Sequence, residues 1–156
     1  VAETAMGSSG AYLAGPRDMV EYLLNTARPF LFTTASPPST AAAAGAALAI
    51  IQREPDRRAR LWSNRQRLFQ GLQRIGFRMT ETISPILPIL IGDAASAVAF
   101  AEHLLAHGVY APAIRPPTVP DDTSRIRVTV TSEHTTDHID AALHAFESAG
   151  QATGLL

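Results

Sequence analysis

The run Ala113–Thr135, "AIRPPTVPDDTSRIRVTVTSEHT", sets one arginine between a short apolar segment and two prolines, then passes into an alternating stretch. Pro116 disfavours the helical region for Arg115, and Pro117 does the same to Pro116, so the backbone leaving Arg115 is expected to be extended and stiff. Ile126, Val128 and Val130 alternate with Arg127, Thr129 and Thr131, the period-two pattern of a half-buried strand. Such a strand needs a sheet, and the neighbouring sequence supplies one. "SPILPILIGD" (Ser84–Asp93) reads as a mostly buried strand and "VYAPAIRP" (Val109–Pro116) as another. Between them Asp93 is placed to cap a helix that runs through "AASAVAFAEHLLAH" and stops at Gly108. A last helix is expected from about Thr135, its cap, to Ser148, with Ile139, Leu143 and Phe146 inward. The order β-α-β-β-α predicts a small antiparallel sheet with helices on one face, an α+β lobe ending an α/β chain.

Working toward the N-terminus, the character changes at residues 76–84, where a boundary is expected. From Ser39 to about Ile75 runs a long helical pattern, broken near Glu54, Pro55 and Asp56 because proline lacks the helical donor and crowds the preceding turn. Leu61, Leu68, Leu72 and Ile75 form its apolar stripe, and its many arginines read as a solvated face. "RPFLFTTASPP" is expected to be extended and "PRDMVEYLLNTA" helical. The opening reads as a loop, a short buried strand at "AYLA" and a turn ended by Pro16. A strand needs neighbours, so the chain is expected to be the tail of something longer.

Composition narrows the chemistry. A net charge of −1 over 156 residues gives no basic field for nucleic acid or an anionic membrane. The apolar run Ser39–Ile51 is too short and alanine-rich to span a bilayer, and no targeting segment is read. The absence of cysteine excludes disulfides and thiolate sites and leans toward a cytoplasmic setting. All 13 basic residues are arginine, so no side chain offers an amine nucleophile.

Several local patterns invite a functional reading. His103 and His107, and His134 and His138, have the i, i+4 spacing of metal ligands, yet neither pair has a third partner or the HExxH order, and both read as structural. "GSSG" lacks the order of a nucleophile elbow and reads as a flexible loop. The run Ala41–Ala44 with Gly45 reads as a close helix-packing surface. For Arg115 the residues leave two readings open: a fixed fork of donors for a carboxylate or phosphate, or an internal partner such as Asp121, Asp122 or a buried carbonyl.

The run "AIRPPTVPDDTSRIRVTVTSEHT" resembles the signature of the α-oxoamine synthases, PLP-dependent acyltransferases of fold type I. "GSSGAYLAG", "ARPFLFTTASPPSTAAA", "IQREPDRRARLWSN" and "ILPILIGD" follow in that family's order, over nearly the whole chain. The "IRPPTVP" run is most similar to the biotin-synthesis branch, while "RLWSN" and "FESAGQATGLL" are more like a glycine C-acetyltransferase. The resemblance implies the C-terminal part of such an enzyme: residues 1–38 as the end of the large PLP-binding domain, 39–78 as connecting helices, and 79–156 as the small C-terminal domain. It implies that Arg115 binds the substrate carboxylate, that Thr34, with Thr33 beside it, reaches the cofactor phosphate across a homodimer, and that an amino acid and an acyl thioester are the substrates. It also puts Thr4 where the family has its Schiff-base lysine and Val1 where it has a phosphate-binding threonine. A hydroxyl forms no imine, so this chain is expected to hold no PLP covalently. The implied alternatives are another member of the family, or a non-catalytic remnant that pairs with a complete chain.

Mixed with pyridoxal 5'-phosphate, the purified chain is expected to develop no absorbance of a lysine-type imine. A visible band growing in proportion to added chain would overturn the reading of Thr4.

Overall fold

The computed structural model describes residues 6–80 and 82–156, which form two units, Val1–Pro55 and Asp56–Leu156. Val1 and Thr4 lie outside the described residues.

The first unit is helical: α1 (Arg17–Thr26), α2 (Arg28–Leu31) and α3 (Pro38–Arg53). Pro38 opens α3 at a position where its missing N–H costs nothing. "RPFL" is a turn of helix with Pro29 near its start, where an extended segment was expected; the proline's fixed φ suits a helical first turn as well as it suits an extended one. Nor is "AYLA" a buried strand. Tyr12 is 69% and Leu13 57% exposed in irregular backbone, because no strand among the described residues of this unit is there to pair with them. No hydrophobic residue of the unit is buried among those described. Ser8 of "GSSG", read as part of a flexible loop, is itself buried, its hydroxyl donating to the Thr40 carbonyl at 2.8 Å.

The second unit holds the core. After α4 (Pro55–Ile75) come β1 (Ile86–Gly92), α5 (Ala94–Ala106), β2 (Ala113–Ile114), β3 (Ser124–Thr129) and α6 (Thr136–Thr153). The strands pair in the order β1-β3-β2, antiparallel throughout, with Ile89 opposite Ile126 and Ile114 opposite Arg125. This is the β-α-β-β-α order read from the sequence. Along β3 the burial alternates as the spacing requires: Ile126, Val128 and the following Val130 face the helices, with Leu87 and Ile89 of β1 beside them.

Behind that face Phe77, Phe100 and Phe146 form one cluster, with centroids 5.8 Å apart for Phe77 and Phe100 and 6.1 Å for the other two pairs. Two of the three contacts are edge-on, the arrangement that ring quadrupoles favour. Leu72, Leu104 and Ile139 close the space around them without exposure.

The helix ends follow the expected chemistry. Asp93 accepts the Ser96 N–H at 2.7 Å, and this bond holds the carboxyl below its ordinary pKa. Gly108, at φ +79°, turns the chain so that the Val109 N–H reaches the Leu104 carbonyl at 2.9 Å. Thr135 caps α6, which runs five residues beyond Ser148 to Thr153 before Gly154 ends it in the left-handed region. β2 is shorter than the expected strand. Pro112 has no N–H for a ladder, and the chain turns at Pro116, so only Ala113 and Ile114 pair.

Truncating Phe146 to alanine removes a member of the aromatic cluster and should cost about 3–5 kcal/mol in urea unfolding. A loss under about 1 kcal/mol would mean that the cluster relaxes to fill the space.

Candidate functional site

The Arg115 turn is built from β2 outward. Ile114 is the last paired residue of β2; directly after it the Thr118 N–H donates to the Arg115 carbonyl at 3.1 Å, closing a turn around a cis Pro116–Pro117 peptide. The chain therefore folds back after Arg115, where continued extended backbone was expected from the two prolines. The rest of the loop secures itself. The Thr123 hydroxyl and N–H donate to the Pro120 carbonyl at 2.7 and 3.3 Å, and Arg125 Nε donates to the Thr123 carbonyl at 3.0 Å.

Within this fixed frame the Arg115 side chain is exposed, and it makes no hydrogen bond or ion pair with a described residue. Asp121 and Asp122, the internal partners open to it in the sequence, do not engage it. A planar fork of five donors is thus held by two strand pairings and a turn, facing solvent.

Thr33 and Thr34 follow α2 in the first unit, in exposed irregular backbone, and neither hydroxyl bonds a described residue. There is no strand at that point, and both residues are open to solvent. Thr4 lies outside the described residues, as noted above.

The histidine pairs have packing roles. The His103 and His107 rings stack 4.4 Å apart; His103 Nε2 meets Ser148 Oγ at 3.2 Å, and His107 Nδ1 donates to the His103 carbonyl at 2.8 Å. His138 completes a capping box: its N–H donates to Thr135 Oγ1 at 3.2 Å, and its Nδ1 accepts the Thr135 N–H at 3.3 Å. His134 Nδ1 accepts the Thr131 N–H at 3.3 Å. Among the described residues no group of three histidine, cysteine, aspartate or glutamate side chains could hold a metal ion.

Two residues of α4 escaped the sequence reading. Arg65, expected on the solvated face, is 7% exposed; it lies 4.8 Å over the Phe69 ring, and its guanidinium donates to the carbonyls of Thr82 at 2.6 Å and Ser84 at 3.4 Å, fixing the entry to β1. Asn64 Nδ2 donates to the carbonyls of Thr131 and His134 at 3.1 and 2.7 Å and so holds the corner between β3 and α6. Both lie on the apolar stripe's side of α4, three and four residues before Leu68, and that spacing is the one sign of their roles in the sequence.

With these positions established, known proteins can be set beside the chain. It is similar in fold to part of a serine palmitoyltransferase from S. paucimobilis with a bound PLP–myriocin adduct, at a TM-score of 0.92 and 32% identity over 99% of this chain and 39% of that one. An 8-amino-7-oxononanoate synthase from Francisella tularensis aligns at a TM-score of 0.80 and 26% identity, over 97% of this chain and 44% of that one. In sequence, the 8-amino-7-oxononanoate synthases of Anaeromyxobacter dehalogenans and Symbiobacterium thermophilum are 48% and 41% identical, over 90% and 97% of this chain and 36% and 39% of theirs. The fold is thus that of the PLP-dependent transferases. The family model for aminotransferase class I and II matches residues 4–146, and the chain belongs to that family. It spans about 39% of the length of the curated relatives it matches.

Burial, and then the neighbouring His138, hold His134 below its ordinary pKa of 6.5. The unfolded chain therefore takes up a proton at that position before the folded chain does, so the contribution is whole above pH 6.5 and declines as the pH falls below it. The thermal midpoint should drop between pH 7.5 and 5.5, and the drop should shrink in His134→Gln. An equal drop in the variant would assign the pH dependence to other groups.

Proposed function

We propose that this chain carries the C-terminal share of a PLP-dependent acyltransferase that condenses L-alanine with a pimeloyl thioester, giving 8-amino-7-oxononanoate, carbon dioxide and the free thiol. The names of its relatives support the reaction class. The observation that carries it on the chain itself is Arg115, an exposed guanidinium without a partner among the described residues, fixed at a proline turn.

In that role the arginine binds and orients the carboxylate that is lost. Two parallel N–H donors match the two carboxylate oxygens, and the secured turn spares the side chain part of its ordering cost. PLP supplies the electron sink when bound. The described residues fit the cofactor in part: Thr34, with Thr33 beside it, offers an exposed hydroxyl of the kind that donates to a phosphate, in the partner subunit of a homodimer. No residue fits the imine, because the chain has no lysine. The amine must come from outside these 156 residues, and no covalent step is assigned to them. Within the described residues no helix is long and apolar enough to cross a membrane; a cytoplasmic enzyme agrees with the cysteine-free composition.

The lack of lysine favours a second reading, in which the chain is a non-catalytic partner that dimerises with a complete subunit and lends it Arg115 or Thr34. The high structural likeness to serine palmitoyltransferase, together with the sequence runs shared with glycine C-acetyltransferase, keeps the other acyl and amino-acid pairings of the α-oxoamine synthases as the alternative within enzymes.

In the assembled enzyme containing this chain, Arg115→Ala should raise KM for the amino acid by about ten- to a hundredfold, with Arg115→Lys in between. An unchanged KM in both variants would remove Arg115 from substrate binding.

A further inference from the structure

A cavity of about 450 Å³ in the second unit lies outside the Arg115 turn and has no part in the proposed reaction. It lies where β2 gives out: the Pro112 carbonyl still accepts the Arg127 N–H of β3 at 3.0 Å, and beyond that bond residues 107–111, the end of β3 and the start of α6 line the open space. Leu68, Val128, Ile139 and Phe146 give it apolar walls, and His134, His138 and Tyr110 stand around it. Among the described residues no carboxylate and no guanidinium lines it.

The capping geometry decides what those imidazoles can offer. His134 Nδ1 accepts the Thr131 N–H and His138 Nδ1 accepts the Thr135 N–H, so each neutral ring carries its single proton on Nε2. Neither Nε2–H has an acceptor among the described residues. The lowered pKa of His134 agrees with a neutral ring. His107 adds an Nε2 lone pair, since its Nδ1 donates to the His103 carbonyl. A cleft of this size with apolar walls and two imidazole donors in its lining has the general form of a small-ligand site.

We propose that this cavity binds an aliphatic monocarboxylate, the chain against Leu68, Val128 and Phe146 and the carboxylate on the Nε2–H donors of His134 and His138. Two N–H donors, with no acid among the described lining residues, match an acceptor-only head group, and the apolar walls match a short hydrocarbon tail. The site is separate from the substrate clamp at Arg115, and its ligand acts as an effector of carboxylate class.

The test is titration of the full chain with octanoate, followed by imidazole nitrogen NMR and calorimetry. The expected result is a saturable shift of the His134 and His138 Nε2 signals with half-saturation at about 1 mM. Octylamine should bind at least about tenfold more weakly. His138→Glu keeps an acceptor at the third position of the capping box, so α6 should stay folded by circular dichroism, but it sets an anion at the rim. Octanoate binding should then fall by about tenfold or more, and octylamine should gain. Arg115→Ala should leave octanoate binding unchanged; its loss there would move the carboxylate to the substrate clamp and overturn the proposal. Equal binding of octanoate and octylamine, full binding by folded His138→Glu, or no saturable shift in the wild-type chain would each overturn it as well.

Discussion

Everything in the second unit depends on one act of burial, the packing of the inward residues of β3 against the phenylalanine cluster. Ile126 and Val128 lie in the middle strand of three, so each contacts β1 on one side, β2 or its approach on the other, and the helices above. The cluster of Phe77, Phe100 and Phe146 draws its members from the turn after α4, from α5 and from α6. Those three segments are far apart in sequence, and only their common contact fixes the helices over a single face of the sheet. The first unit has no such centre among its described residues, and many of its large apolar side chains, Tyr12, Tyr22, Phe30 and Phe32 among them, stay exposed. Burial on that scale is the main favourable term in folding, so the two halves of the chain differ in what holds them.

Polar contacts refine this arrangement rather than create it. Arg57 reaches Glu133 at 2.8 Å, and Arg67 grips both oxygens of Asp140, linking α4 to the start of α6. These pairs are exposed, and each contributes little by itself. Asn64 and Arg65 do more, because each satisfies backbone carbonyls where the chain changes direction and an unmade bond would be costly. Arg65 holds the chain before β1, and Asn64 the corner after β3. The rigidity of the sheet that carries Arg115 owes something to both.

The fold of the second unit was legible to a large extent because its signals are local and repeated. Alternation along β3, the Asp93 cap, the glycine stop at 108 and the Thr135 cap each rest on a few neighbouring residues, and each stands where its chemistry puts it. Readings failed where a segment's state depends on what lies beside it. "AYLA" has the composition of a buried strand but no partner strand among the described residues of its unit, and the strand at "VYAPAIRP" is cut to two residues by prolines. Arg65 reads as one more surface arginine until the carbonyls of Thr82 and Ser84 are seen to meet it. His134 and His138 were recognisable as structural, yet their bond directions, and hence the free proton on each ring, depend on backbone N–H groups placed by the turn.

By itself the sequence determined the order of elements, the inward residues of β3 and α6, the caps, and a chemistry without amine or thiol, since these follow from periodicity, capping preference and residue inventory. The tertiary structure decided that Arg115 has no partner among the described residues, that the nearby aspartates leave it alone, and that a cavity opens where β2 gives out. Those facts are relations between distant segments, and a linear pattern contains the residues that could meet but not the distances at which they do.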